Sequence, residues 1–467
     1  LLGQTGPYIS PRGIVNAASY APLGAPNGPI ARGSIFTIFG ANLGPAVGIQ
    51  VGSFPLPTSL SGVSVRVFQG STSVDAFPVY VNSGQVNVIM PSNAPLGNVS
   101  IQVAVGGLTS NVATLKTTTG APGIFSVLSS GYGPGVIQNY VGQNNTPVNS
   151  SQQAAAPGQL EILWATGLGP VAGGDNIPPP VGNLPINLQV FVGGQPVTNL
   201  QYGGRAPGFA ALDQIVFAVP ANAPAGCFVP VELLVNGTPS NVVTMAVQPG
   251  GGVCNEAGNP SATAMMNGGK NGNLGLARRT VDSTDPVAGA QTVTVDALTG
   301  YFRNEPAGNP FAFHRFVSLP PAGSCTAYTA RGDLLDPASQ LPTAGSNLDA
   351  GGLTVSGPRG TKQVSAANGS YDAALNANPL TPNADPSTLF LDPGAYNLSA
   401  AGGVDVAGFA RSFTIAATPP AWSNRAQISS VDRTKGLVLN WTGAGGVLIM
   451  GSSFDQPSNS SGLFLCR

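Results

Sequence analysis

One histidine, His314, serves the whole 467-residue chain, so histidine-dependent chemistry has a single place to begin. A Ser-His-Asp triad would need it beside an activated nucleophile, and the sequence has no Gly-x-Ser-x-Gly elbow to supply one. A His-Glu-x-x-His zinc helix needs two histidines. The carboxylates offer more: Asp333 with Asp336, and Asp385 with Asp392, are close enough in sequence to act as acid and base on a glycosidic bond. Each pair has Pro or Gly beside it, which favours Asp as a turn residue accepting backbone amide hydrogen bonds. The Asp-x-Asp-x-Asp-Gly spacing of a calcium loop is missing. The stretches 167–173 and 268–271 are rich in glycine but lack the phosphate-loop patterns, and they read as turns. These residues predict no enzyme, no cofactor and no metal, and leave His314 a structural or surface residue.

Binding chemistry rests on three tryptophans. Trp164 and Trp441 fall within strand patterns, where burial is expected of so large an apolar group. Trp422, in the Pro-flanked stretch 419–425, is the candidate for stacking on a sugar ring, with the loops near Tyr202 and Tyr396 as further contacts. The tripeptide Arg331-Gly332-Asp333 matches an integrin-recognition sequence but is too short to carry weight, and the stretch 341–345 approximates a sortase signal with no apolar tail after it. Among the lysines only Lys116, near the end of the first repeat, merits inspection for an internal Lys–Asn cross-link.

Cysteine spacing points to export. Cys227, Cys254, Cys325 and Cys466 form no Cys-x-x-Cys, which removes the zinc-ribbon, thioredoxin-like and haem-attachment readings. The run from Cys227 forms a strand, turns at Asn236-Gly237 and returns, bringing Cys254 back near Cys227. A bridge there closes a loop of about 27 residues, worth roughly 3 kcal/mol in the chain-entropy model. Cys325 and Cys466 then remain as the second pair. Two disulfides fit an oxidising compartment, and four buried free thiols are the alternative.

The elements that would carry these residues are strands. Gly33-SIFTIFGANLG-Pro45 with Gln85-VNVIMP-Pro91 returns, about 125 to 130 residues later, as Gly158-QLEILWATGLG-Pro170 with Gln214-IVFAVP-Pro220. Around both copies, apolar and polar residues alternate over strand lengths between Gly, Pro and Asn turns, the pattern of an all-β sandwich. The 64 glycines and 43 prolines interrupt nearly every apolar run and exclude long helices. The expected domains are a sandwich over 8–120, a second over 121–250, and a further β-rich domain over 255–467 with strands at QTVTVDAL, FAFHRFVSL, GLTVSG, FARSFTIA, KGLVLNWTG and GVLIMG.

The paired segments resemble a Solibacter-type extracellular β-domain family of bacterial secreted proteins. The resemblance lies in the stretches 16–20, 33–44, 56–67 and 85–91, and again in 164–169, 206–208, 214–220 and 240–243. It covers about half the chain and implies immunoglobulin-type sandwiches outside the cell, with no catalytic activity or ligand attached to it. The stretch 349–466 resembles a companion β-domain that accompanies such repeats; in that pattern more chain follows the last Cys, which leaves the final sheet short of strands.

Composition narrows the partners. Charged residues make up 8% of the chain, against roughly 25% in an ordinary soluble domain. Eighteen Lys and Arg balanced by nineteen acids give no basic footprint for nucleic acid, and the net charge of −1 offers little repulsion between copies. No apolar run approaches the length of a membrane span. The expectation is an exported, non-enzymatic structural protein, reached through a signal peptide that this sequence does not include, associating with itself or with other surface proteins. Leu1, Leu2, Tyr8 and Ile9 form a candidate strand for addition to a neighbour's sheet. The alternatives are an adhesin that binds polysaccharide and an accessory part of a larger secreted enzyme.

Overall fold

The computed structural model describes residues 6–285, 287, 289–306, 308–335, 345–367, 369–377, 386–418, 420–432, 435–443 and 446–467. The fold is nearly all β. Two compact units divide it: Leu1–Ala257 with Pro310–Leu341 and Leu448–Arg467 form the first, and Gly258–Asn309 with Pro342–Val447 form the second.

The first unit opens with a sandwich. One sheet pairs, in order, Tyr8–Asn16, Ile35–Ala41, Gln85–Ile89, Phe77–Val81 and Ile49–Gln50. The facing sheet is built on Ala113–Thr118, Gly97–Val105 and Val63–Gln69. Period-two alternation decides which residues enter the core: Val99, Ile101 and Val103 turn inward, with Val63, Val65 and Val67 beside them. Each such side chain, fully buried, contributes roughly 1.5–3 kcal/mol.

The second sandwich repeats the plan. Leu160–Thr166 pairs with Asp213–Ala218 as Ile35–Ala41 pairs with Gln85–Ile89, and Leu188–Val192, Gly226–Val235 and Val243–Val247 form the facing sheet. Asn236 and Gly237 both hold positive φ, +51° and +82°, which makes the tight hairpin turn after Val235. That hairpin returns the chain so that Cys227 and Cys254 are joined, as their spacing predicts.

A third sheet of the first unit comes from sequence-distant pieces. Cys325–Arg331 pairs with Ser460–Cys466, which pairs with Ile449–Asp455, and Cys325 is bridged to its register partner Cys466. The ring of Phe313 packs against Tyr132, Phe228 and Tyr328, so an aromatic cluster seats this sheet on the second sandwich. The region 255–467 is therefore not one domain: parts of it complete the unit that holds the sandwiches.

The second unit begins with the short helix Pro260–Asn267, capped by the Asn259 side chain at the Ala262 amide. It continues into a long hairpin, Gly269–Asp285 against Gly289–Glu305, and a sheet of Leu353–Gly357, Gly360–Val364, Gly394–Gly402 and Ala407–Ile415. Leu298, Leu353, Val355, Tyr371 and Tyr396 centre its core. Among the described residues no helix is long and apolar enough to cross a membrane.

Two expected strands are absent. The FAFHRFVSL run winds into turns in which the His314 carbonyl accepts from the Val317 and Ser318 amides, an arrangement that sends Phe313 into the aromatic cluster. KGLVLNWTG keeps only Trp441–Thr442 as strand, where among the described residues it pairs with the two-residue Ala421–Trp422.

Candidate functional site

The densest constellation of buried polar groups lies where the two sandwiches meet. Arg205, at the end of the Leu200–Arg205 strand, is 3% exposed. Its Nη2 donates to the carbonyls of Gly33 at 2.7 Å and Gly169 at 2.6 Å, its Nε donates to the Ala210 carbonyl, and its Nη1 pairs with Asp213. Gly33 belongs to the first sandwich and the other partners to the second, so one guanidinium holds both. Gly33 is needed there: its φ is +69°, and a Cβ would lie 2.5 Å from Nη2 of Arg205. The second oxygen of Asp213 accepts from the Leu168 amide at 2.9 Å.

Flanking bonds extend the joint. Asp175 accepts from the Ser92 amide and hydroxyl at 2.6 and 2.7 Å, and burial pushes its pKa up against those bonds and the nearby Arg205 charge. The Thr166 hydroxyl accepts from the Ile35 amide and donates to the Ala211 carbonyl. An apolar layer of Leu56, Ile89, Ala210 and Ala211 fills the remaining space. Together these groups make a water-excluded, hydrogen-bonded weld.

Glu161, at the far end of the strand that carries Thr166, is 0% exposed and neither carboxylate oxygen has a hydrogen-bond partner. Burial alone pushes its pKa up to about 9. In the first repeat the same position is Phe36, also 0% exposed. Phe36 has Asn16 and Val88 as cross-strand neighbours; Glu161 has Asn139 and Phe217. The bulky ring has moved across to the neighbouring strand and the carboxyl fills the space it left.

The residues singled out from sequence are scattered. Asp333 accepts from the Leu335 amide in a turn, and Asp392 pairs with Arg359, while Asp336, Asp385 and residues 341–344 of the stretch 341–345 lie outside the described residues. His314 sits in the turn described above, its ring tilted against that of Phe316. Lys116 is exposed on its strand. Tyr8 and Ile9 pair with Ala41 and Gly40 of their own sandwich, and a Cβ on Gly40 would fall 1.9 Å from the Tyr8 carbonyl oxygen. Those two residues are paired along one side within their own sandwich, on the edge strand of its sheet; Leu1 and Leu2 lie outside the described residues. Among the described residues no group of three or more His, Cys, Asp or Glu is placed to hold a metal ion.

The tryptophans depart from expectation. Trp441 is 49% exposed, not buried, because among the described residues its two-strand ribbon has no opposing sheet, and it stands directly across from Trp422, itself 47% exposed. The Trp422 indole N–H donates to Asn424, whose own amide donates to the Val438 carbonyl. Trp164 lies half-buried on the outer face of its sheet, its N–H bonded to Gln138.

Sequence reasoning missed the joint. Its members are remote in sequence, and the available signal was scarcity: in a chain with so few charges, Arg205 and Asp213 flank one short turn. Glu161 was readable by laying one repeat over the other.

A family model for the IPT/TIG domain matches residues 21–119, the first sandwich. Solved structures with detectable likeness include the I9–I11 tandem of titin, at 8% identity over 82% of this chain and 93% of that one, with a TM-score of 0.13. Others are dimeric latent PorU from Porphyromonas gingivalis, at 9% identity over 87% of this chain and 34% of that one, TM-score 0.17, and domains 4–9 of the surface layer protein SbsC, at 13% over 89% and 49%, TM-score 0.13. At such TM-scores the likeness extends neither to a shared arrangement of domains nor to a function. No curated protein matches the chain. The chain carries tandem immunoglobulin-like sandwiches, the first of which matches the TIG model.

Proposed function

We propose that the protein is an exported, non-enzymatic structural protein, a subunit of a surface filament, sheath or layer in which the paired sandwiches act as one stiff piece. The observation that carries this reading is the Arg205 joint. Domains in one chain ordinarily move against each other unless the contact is large and apolar. Here a buried guanidinium and an apolar layer fix them. The two disulfides suit an oxidising compartment, and the low charge favours association between copies. Electron microscopy of unreduced protein across a dilution series tests it. Regular fibres or sheets that persist on dilution are the expected outcome, and dispersed single particles at every concentration would refute assembly by this chain.

The facing pair Trp422 and Trp441 favours a second reading, an adhesin whose exposed indoles stack on the sugar rings of a polysaccharide. Retention on a panel of immobilised neutral polysaccharides, lost in Trp422→Ala and in Trp441→Ala, is its signature; no retention of the unaltered protein would remove it.

A further inference from the structure

We propose that Glu161 makes the second sandwich, and through it the joint with the first, a proton-dependent structure: the neutral carboxyl rests in the core, and its ionisation expels it and frees the strand that holds the joint. Three observations combine. The side chain is fully buried and both of its oxygens lack partners, a state tolerable for a carboxylic acid and not for a carboxylate. Its place in the fold is that of a core phenylalanine in the companion repeat, so the surroundings are built for an apolar group. The third is continuity: the strand Leu160–Thr166 begins beside Glu161 and ends at Thr166, and the Leu168 amide and Gly169 carbonyl follow within three residues.

Among the described residues no charge faces Glu161 to hold it ionised. Its neighbours in the sheet are Asn139 and Phe217, and the opposing strands present Val, Leu and Met. Asn139 is occupied, accepting from Asn149 and donating to the Gln153 carbonyl. Glu232 alternates with the inward-facing Val231 and Leu233 and so points away from the core. Asp213 lies four residues along the neighbouring strand from Phe217, bound to Arg205. Tyr140, in the loop after Asn139, is largely exposed.

The sign of the effect follows from linkage. A carboxyl whose pKa is raised by folding contributes full stability below its unfolded value and loses it as pH climbs toward the folded one. The folding equilibrium of the second sandwich then weakens by up to about tenfold per pH unit from about pH 5 to about pH 9. All four cysteines are in disulfides, so alkaline pH exposes no thiol to confuse the measurement.

The test uses the full chain in a Trp422→Phe, Trp441→Phe background, where fluorescence of Trp164, three residues from Glu161, reports unfolding of the second sandwich. Denaturant midpoints measured from pH 5 to pH 9.5 should fall more steeply with a glutamate at 161 than in Glu161→Gln and Glu161→Phe, where only the slope common to all three, from groups such as Asp175, remains. Equal slopes would overturn the proposal. Carboxyl-carbon NMR of glutamate-labelled, otherwise unaltered protein gives a second readout that needs no variant to fold, because the chain has only four glutamates. One of them should titrate in the alkaline range; if all four titrate in the ordinary acidic range, the proposal is wrong.

Discussion

A guanidinium buried with its carboxylate is costly to break from one side. Arg205→Ala would leave Asp213 inside the joint with no counter-charge, and the expected loss is about 3–5 kcal/mol. In urea unfolding followed by circular dichroism, the same variant should separate one transition of the sandwiches into two. Gly33→Ala acts from the other side of the contact: a β-carbon at positive φ, pressed on Arg205, should cost about 1–3 kcal/mol. Phe36→Ala should cost about 3–5 kcal/mol, and in the first sandwich alone. Calorimetry distinguishes these cases, because only the Arg205 and Gly33 variants should alter how the two sandwiches melt together.

Strand alternation placed much of both sandwiches before any coordinates: Phe36 and Ile38 in SIFTIFG, and Val99 through Val103, point inward as their period requires. The Cys227–Cys254 bridge was legible because an Asn-Gly turn fixes where a hairpin returns its chain. FAFHRFVSL was misread, since alternation cannot distinguish a strand from a turn that delivers one ring, Phe313, to an aromatic cluster. Trp441 was misread for a related reason, because whether a strand has a sheet opposite it is a tertiary fact. Arg205 and Asp213 are close in sequence, but the partner that makes them a joint, the Gly33 carbonyl, is 172 residues from Arg205 and could not be read locally. The third sheet of the first unit was likewise invisible, and it yields its own prediction. Cys325→Ser with Cys466→Ser opens a loop spanning 141 residues, a loss on the order of 5 kcal/mol in the chain-entropy model. Limited proteolysis should then cut within residues 449–466 first, while the Cys227–Cys254 loop stays resistant.

The two units should respond to pH in opposite directions. In the second unit Asp296 is fully buried, and burial alone would raise its pKa, but Arg278 and the Phe390 and Leu391 amides outweigh that and hold it below the ordinary carboxylate value. Its stabilising contribution is complete above that ordinary value and disappears as pH falls through the lowered one. Acid should therefore unfold the second unit first and alkali the second sandwich first, a crossover visible as an exchange in the order of two calorimetric transitions. With so few charges on the chain, any assembly should change little between low salt and about 1 M salt, where exposed ion pairs are screened.

The sheet of Cys325–Arg331, Ile449–Asp455 and Ser460–Cys466 has a consequence for how the chain comes into being. Both sandwiches have all their strands once residue 247 has emerged, and they can close while synthesis continues. The middle strand of that third sheet arrives only with residues 460–466, so Cys325 must wait, unpaired, through the production of 141 residues. During that interval Cys227 and Cys254 are also in reach as wrong partners. Early closure of the shorter loop removes them, and the order in which the strands emerge becomes the device that selects the correct pairing.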